Sequence, residues 1–185
     1  DPERWARSFD DPARDAWQKP DEVIAALSLR PTDTVADIGA GTGYFAVRIA
    51  RAVPQGEVLA VDVAPRMVAY LADRARKTGI ANLRAVQGGP SSPDLPVAAD
   101  VVLLVDTYHH IDGRIAYFRA LHAMLKPGAR VAIVDFRPES LRGAPKHFRL
   151  SAEKIAAEMA QAGYRLTASH DFLPRQHFQV FSPAP

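Results

Sequence analysis

TVADIGAGTGYFA, residues 34–46, is the most informative segment of the sequence. Residues that a β-strand tolerates lead to Asp37, glycines follow at positions 39, 41 and 43, and an apolar pattern with helical spacing comes next. Glycine has no Cβ and adopts positive φ angles, so it permits both a sharp turn and the approach of a ligand to bare backbone. The stretch therefore predicts a ligand-binding loop between a strand and a helix.

Strands and helices alternate along the chain after residue 20. Strand patterns occupy 34–38, 57–63, 83–87, 100–106 and 130–136, and helical patterns lie between them at 44–53, 65–78 and 114–125. Repeated βα units form parallel sheets with helices on both faces. After a helix at 152–162, strands at 164–172 and 177–182 are joined by only four residues, which predicts an antiparallel hairpin. The expected fold is α/β, a Rossmann-like sheet of seven strands that is mostly parallel and ends in that hairpin.

The first 20 residues differ in composition from the remainder. They are polar, they contain both tryptophans, Trp5 and Trp17, and they favour one or two short helices outside the sheet. A chain of 185 residues suits one domain with a sizeable core. We therefore predict an N-terminal helical segment at 1–20, a candidate lid, and a cofactor-binding domain at 21–185.

Composition limits the classes of function. Hydrophobic residues make up 48% and charged residues 24% of the chain, as in ordinary globular proteins. The absence of cysteine excludes disulfides, thiolate metal sites and a cysteine nucleophile. A net charge of +2 gives no field that would indicate nucleic acid or a membrane as partner, and no apolar run is long enough for a membrane span. Because the chain begins at Asp1 rather than Met, we expect a trimmed N-terminus. We expect a cytoplasmic protein, or a periplasmic one if a signal peptide preceded Asp1.

A second acid helps to identify the cofactor. Asp62 ends the second predicted strand, 23 residues after Gly39, where a carboxylate can accept two hydrogen bonds from a ribose diol. The glycine spacing differs from the dinucleotide fingerprint, which would require glycine where this chain has Tyr44. Asp37 suits a ligand with an ammonium and a sulfonium better than a pyrophosphate. The pattern therefore favours S-adenosylmethionine over a nicotinamide or flavin dinucleotide.

Three segments carry a family resemblance. DIGAGTG, VLAVDVAPRMV and LKPGARVAIVDF together resemble the class I S-adenosylmethionine-dependent methyltransferases, in their small bacterial single-domain form, over residues 20–182. The resemblance implies methyl transfer that leaves S-adenosylhomocysteine, with the glycine loop on the methionine part, Asp62 on the ribose and Val63 on the adenine. The cofactor-binding residues predicted in this way are Asp37, Gly39, Gly41, Gly43, Tyr44, Asp62, Val63, Gly89 and Asp106.

The loop after the third strand departs from the family pattern. The family often has Gly-Asp there, with the acid on the adenine amino group, whereas this chain has Gly88-Gly89-Pro90. The acid is missing, and Pro90 has no N–H to donate. Adenine is then expected to bind less tightly, or to be held by Ser91, Ser92 or Asp94 in the same loop.

The segment DTYHHI, residues 106–111, is expected to line the acceptor site. Its candidate catalytic residues are Tyr108, His109 and His110, and either histidine could serve as a base near neutral pH. Of the two, we prefer His109. Asp106 and Asp135 end neighbouring strands, but Phe136 stands where catechol-type methyltransferases have a third oxygen ligand, so we predict no metal.

These observations favour methyl transfer to a small molecule, with the methylated atom left open. A methyltransferase acting on RNA or protein is an alternative, although the small net charge disfavours nucleic acid. A non-catalytic protein that binds S-adenosylmethionine is another, because of the altered Gly89-Pro90 loop. The basic loop at 137–150 could bind an anionic acceptor or form a lid, although a solvated loop is the simpler interpretation. We expect a monomer or a homodimer.

Overall fold

A seven-stranded sheet forms the centre of the computed structural model, which describes residues 2–184 and leaves Asp1 and Pro185, the outer bounds of the two predicted domains, outside the described residues. Its strands are β1 (Thr34–Ile38), β2 (Glu57–Asp62), β3 (Leu83–Gln87), β4 (Ala99–Val105), β5 (Leu125–Phe136), β6 (Tyr164–His170) and β7 (Gln176–Pro183). The helices are α1 (Pro2–Phe9), α2 (Asp15–Gln18), α3 (Pro20–Ala26), α4 (Ala46–Ala52), α5 (Pro65–Thr78), α6 (Arg114–His122) and α7 (Ala152–Gln161).

The strand order is β3-β2-β1-β4-β5-β7-β6. β1 to β5 pair in parallel, and β7 pairs antiparallel with both β5 and β6. The order changes direction between β1 and β4, and in open α/β sheets ligands bind at such a point, beyond the carboxyl ends of the strands. The predicted α/β fold and its terminal hairpin are confirmed, with the reversed strand one position in from the edge.

Apolar side chains cover both faces of the sheet. In β4, for example, Val101 and Leu103 pack with one core cluster, and Val102 and Leu104 pack with the other. A strand buried on both faces has no polar side to present, which explains the continuous apolar run of this segment. The sheet is therefore a rigid platform for the loops at its carboxyl edge.

The prediction of the sixth helix was wrong at its C-terminal end. The helical pattern suggested residues 114–125, but α6 ends at His122 and β5 already begins at Leu125. Leu125 pairs with Ala99, and a shift in register separates this pair from the regular ladder that starts at Val101. Pairing with β4 has therefore overridden the local helical pattern.

Candidate functional site

The glycine loop follows β1 and lies at the change in strand order. The N–H groups of Gly39 and Ala40 both donate to the carbonyl oxygen of Val61, at 2.8 and 3.0 Å, which ties the loop to β2. Gly39 has φ +76°, and a Cβ added to it would lie 2.8 Å from the Cβ of Thr107. Both its backbone angle and the approach of the segment after β4 therefore require glycine here.

Asp37 provides a buried carboxylate beside this loop. Its residue is only 3% exposed, and its Oδ2 atom has no hydrogen-bond partner among residues 2–184. Burial raises the pKa of Asp37 to about 7, against the opposing effects of a backbone hydrogen bond from Ala46 and the charge of Arg14. A buried polar atom without a partner is rare and suggests a missing ligand. The site therefore fits a cofactor that carries an ammonium group.

Asp62 joins the loop after β2 to the glycine loop. Its Oδ1 accepts from the N–H of Ala64 at 2.9 Å, and its Oδ2 accepts from the N–H of Gly41 at 3.0 Å. Each carboxylate oxygen retains a lone pair, so the group can still accept hydrogen bonds from a diol. The neighbouring Val63 is 60% exposed and offers an open apolar surface.

The loop after β3 is closed by its own hydrogen bonds. The N–H of Gly89 donates to the carbonyl oxygen of Ser92 at 2.9 Å, so it is already used within the loop. Asp94 adopts φ +50°, a left-handed conformation that is uncommon for residues other than glycine. Its carboxylate lies across the loop, because its Oδ2 would be 2.9 Å from a Cβ added to Gly89.

Residues 2–18, which we call the strap, lie over the glycine loop. Arg74 of α5 donates from Nη1 to Asp10 Oδ2 and to the Thr42 carbonyl oxygen, both at 2.7 Å. Thr42 in turn donates from its hydroxyl to Asp10 Oδ1 at 3.1 Å. The ring of Phe9 lies 3.3 Å from the position of a Cβ on Gly41. The strap therefore covers the part of the site formed by Asp37 and the glycines.

Arg14 of the strap reaches into the site. Its guanidinium lies 4.2 Å from the centre of the Tyr44 ring, and its Nη2 is 3.9 Å from Asp106 Oδ2. It donates to the Phe9 carbonyl oxygen from Nη1 and to Gln18 Oε1 from Nε and Nη2. Burial lowers the pKa of Arg14, while the charge of Asp106 opposes this shift. The sequence prediction did not include Arg14.

A chain of buried amides connects the strap to the C-terminal hairpin. Gln18 Nε2 donates to Gln176 Oε1 at 2.8 Å, and Gln176 Nε2 donates to Asp106 Oδ1 at 2.6 Å. Burial raises the pKa of Asp106 to about 7, and the charge of Asp135 adds to the effect. Asp106 also adopts φ +53°, and such strained residues concentrate at functional sites. The predicted site residue Asp106 is thus held from two distant segments of the chain.

His109 and Asp135 form a buried pair at the same edge of the sheet. His109 Nδ1 lies 2.7 Å from Asp135 Oδ1, and the backbone N–H of His109 donates to Asp135 Oδ2 at 3.0 Å. Within residues 2–184, Nε2 of His109 makes no hydrogen bond. Next to this pair lie the rings of His110 and Phe148, with centres 4.0 and 6.3 Å from that of His109. Burial lowers the pKa of His110.

Tyr108 contacts Glu158 and not the pair of His109 and Asp135. Its hydroxyl donates to Glu158 Oε2 at 2.8 Å, and Arg114 donates to both oxygens of Glu158 at 2.7 and 3.0 Å. Although burial opposes it, these hydrogen bonds lower the pKa of Glu158 to about 2. Burial raises the pKa of Tyr108. This cluster connects the segment after β4 to α6 and α7, and it does not bring Tyr108 together with the histidines.

Two arginines shape the basic loop at 137–150. Arg149 donates to the carbonyl oxygens of Ala144, at 2.6 Å, and of Ser140. Arg137 donates from Nε to the Gln176 carbonyl oxygen at 2.9 Å. Two of the basic side chains of this loop are therefore used to stabilise its own conformation.

Comparison with known proteins identifies the family. A profile of the methyltransferase domain family matches residues 35–129, more than half of the chain, and the chain belongs to this family. Together with the solved structures of the same fold, the match supports S-adenosylmethionine as the cofactor, as the resemblance implied.

Two relatives and one solved structure illustrate the assignment. The chain is 30% identical over 138 residues to 27-O-demethylrifamycin SV methyltransferase of Amycolatopsis mediterranei, covering 73% of this chain and 49% of that protein. It is 25% identical over 169 residues to the malonyl-[acyl-carrier protein] O-methyltransferase of Hahella chejuensis, covering 84% and 60%. It shares the fold of a SAM-dependent methyltransferase from Aquifex aeolicus, with a TM-score of 0.90, 24% identity and coverage of 98% and 97%. The chain thus spans only about half to three fifths of the two named relatives.

The described helices do not meet the requirements of a membrane span. Among residues 2–184, each helix is too short or too polar to cross a bilayer.

Proposed function

We propose that this protein transfers a methyl group from S-adenosylmethionine to a small molecule whose reacting atom carries a proton. The observation that carries the proposal is the buried pair of His109 and Asp135 at the same sheet edge as the glycine loop. Asp135 accepts a hydrogen bond from the Nδ1–H of His109, so Nε2 is the ring nitrogen that can take up a proton. A base in this position is useful only if the acceptor must lose a proton.

Residues at the carboxyl edge of the sheet would bind both the methionine part and the adenosine part of the cofactor. Asp37 and the glycine loop would hold the amino acid part, with Tyr44 and Asp106 lining the same space. Asp62 would hold the ribose hydroxyls, and the exposed Val63 would support the adenine. At the adenine itself we assign Asp94 the place of the missing family acid, because its carboxylate lies against Gly89.

When bound, S-adenosylmethionine would supply an electrophilic methyl group for the acceptor atom, with its sulfur as the leaving group. The protein contributes mainly by positioning the acceptor on the line of this displacement. His109 Nε2 takes the proton that the acceptor loses, and Asp135 stabilises the resulting positive charge. His110 and Phe148 flank this base and would line the acceptor site, whereas the bonds of Tyr108 favour a structural role for it.

The class of acceptor is supported by the relatives. The rifamycin and malonyl-carrier methyltransferases act, by their names, on a natural product and on a carrier-bound small acid. The net charge of only +2 gives no strong overall field that would favour RNA as the acceptor. A cytoplasmic location and a monomeric or homodimeric state remain predictions from the sequence.

Replacement of the proposed base tests the function. A panel of phenols, enols and amines would be incubated with S-adenosylmethionine labelled in its methyl group. For any acceptor that is methylated, His109→Gln should reduce turnover about 100- to 10,000-fold, the usual contribution of a general base. The affinity for S-adenosylhomocysteine, measured by calorimetry, should stay within about threefold because the base holds none of the cofactor.

His110→Gln is the matched control, since His110 is the next residue but does not contact Asp135 through its side chain in the described hydrogen bonds. Because His110 would only line the acceptor site, its loss should act mainly on KM, and its effect on kcat at saturating acceptor should be small by comparison. Equal losses in the two variants would contradict a base at His109.

A non-catalytic binding protein is the second candidate, and one observation favours it. The N–H of Gly89 is used inside its own loop, which removes a donor for the adenine ring. Such a protein would bind S-adenosylhomocysteine without methylating any member of the panel. Methylation of any acceptor that depends on His109 would exclude it.

A further inference from the structure

Arg14 is a buried cation for which the sequence provided no role. Its side chain is only 13% exposed, and it lies between the Tyr44 ring and the carboxylates at the edge of the sheet. The charges of Asp106 and Asp37 both act on it. A buried guanidinium costs considerable desolvation energy unless its charge and its donors are used.

The donors of Arg14 are only partly used. A guanidinium has five N–H groups, and the hydrogen bonds to Gln18 and Phe9 use one each on Nε, Nη1 and Nη2. Within residues 2–184, one N–H on each terminal nitrogen therefore has no acceptor. The approach of Nη2 to Asp106, at 3.9 Å, is an ion pair too long for a hydrogen bond. The two remaining N–H groups suit a carboxylate, which a guanidinium binds in a fork.

A second, independent feature is Asp37, whose charge interacts with that of Arg14. Asp37 is almost fully buried, and its Oδ2 has no partner among residues 2–184. An unused acceptor and unused donors of opposite charge match the two charges of an α-amino acid, whose ammonium and carboxylate are attached to one carbon. No single ion would use both.

We infer that Arg14 binds the carboxylate of the cofactor's methionine part, while Asp37 binds its ammonium. This inference rests on the proposed function. The strap then contributes a binding residue to the site in addition to covering the glycine loop. The bound cofactor, in turn, holds the strap in place. The cofactor must enter before the strap closes, since Gln18 and Gln176 hold the strap against Asp106.

Pairs of ligands with and without the carboxylate test the role of Arg14. Calorimetry would compare S-adenosylhomocysteine with its decarboxylated analogue, which keeps the ammonium, in wild-type protein and in Arg14→Gln. The wild type should prefer the complete ligand, and Arg14→Gln should reduce this preference about 10- to 100-fold, as expected for a hydrogen-bonded ion pair. The decarboxylated analogue should bind the variant no more weakly than it binds the wild type.

Arg48→Gln is the matched control. Arg48 lies 4.1 Å from the centre of the same Tyr44 ring and pairs with Asp15 of the strap, but it has no described contact with Asp37 or Asp106. Loss of Arg48 should leave the preference for the carboxylate unchanged. If Arg14→Gln does not fold, Arg14→Lys provides the same comparison, with a charge but without a fork, and should keep only part of the preference.

The outcomes separate this inference from the proposed function. Suppose that the wild type binds S-adenosylhomocysteine and that the Arg14 variant keeps the preference for the ligand with a carboxylate. Arg14 then only neutralises Asp37 and Asp106, and the inference is wrong. Tighter binding of both ligands to the variant would lead to the same conclusion. If the wild type binds neither S-adenosylhomocysteine nor S-adenosylmethionine, the proposed function itself fails.

Discussion

The two ends of the proposed cofactor site are built in different ways. The methionine end, formed by Asp37, the glycine loop and the strap, is covered and contains buried charges. The adenine end, formed by Val63 and the loop at 88–94, is open, and Val63 is 60% exposed. Because charge interactions strengthen as water is excluded, most of the specificity should come from the methionine end. Weak binding of adenine by the loop at 88–94 would then cost little affinity, because the cofactor is held mainly at its methionine end.

A substitution in the glycine loop should weaken the methionine end most strongly. Gly39→Ala would place a Cβ 2.8 Å from that of Thr107 at φ +76°, so the loop must move. Binding of S-adenosylhomocysteine, measured by calorimetry, should weaken more than about 100-fold, because donors and acceptors displaced by about an ångström lose their geometry.

Gly79→Ala is the control for backbone strain alone. Gly79 has φ +67° at the end of α5, and a Cβ there meets nothing within 4 Å. Its substitution should cost about 1–2 kcal/mol in the free energy of unfolding and leave binding unchanged. Similar binding by both variants would show that the approach of Thr107 does not matter.

An intermediate effect is expected from pH. Burial raises the pKa of Asp37 to about 7, and a ligand ammonium favours the ionised carboxylate. In free protein below pH 7 this acid is protonated and must release its proton on binding. The affinity for S-adenosylhomocysteine should therefore fall up to about tenfold per unit as the pH drops below about 7, and should level off above it.

Calorimetry between pH 5.5 and 8.5 checks this slope, and Asp37→Asn is its control. The variant should bind more weakly at pH 8 and lose most of the dependence. Any slope that persists would belong to Asp106, whose pKa burial also raises to about 7. A full slope in the variant would argue against Asp37 as the partner of the ammonium.

The smallest effect is expected at the adenine end. Asp94→Gly removes the proposed partner of the adenine amino group and relieves a positive φ, so stability should not decrease. Binding of S-adenosylhomocysteine should weaken only about three- to tenfold, the contribution of one ordinary hydrogen bond, because water at this open end of the site weakens the charge of the carboxylate. The inosine analogue, which lacks the amino group, should bind both proteins equally. If Asp94→Gly affects the two ligands alike, adenine is held by another group.

Several elements of the fold could be predicted from local sequence. The bounds of β1, β3 and α5 agree with the structure at both ends, since turn residues such as Pro65 and Gly79 mark them. The end of α6 could not be predicted, because pairing of Leu125 with Ala99 is a contact between distant residues. Helical periodicity describes only neighbours along the chain and carries no information about a partner such as Ala99.

The same division applies to the site. Asp37 and Asp62 lie at the carboxyl ends of β1 and β2, and the glycines follow β1 directly, so their place at the carboxyl edge follows from chain order alone. Arg14 and Gln176 carry no motif, and Asp135 was considered from the sequence only as a possible metal ligand. The importance of all three depends on the side chains that face them. Tyr108 adjoins His109 in sequence, yet its hydroxyl contacts Glu158 of α7 while His109 contacts Asp135 of β5.

The family, the sheet and the cofactor class follow from short segments of sequence, because the backbone conformations that they require are visible in the residue types. Which groups face one another across the site depends on the packing of the whole chain. The closure of the strap over Asp37 and the orientation of His109 by Asp135 bring together residues from distant parts of the chain. Such contacts depend on how the elements pack, which no local pattern records.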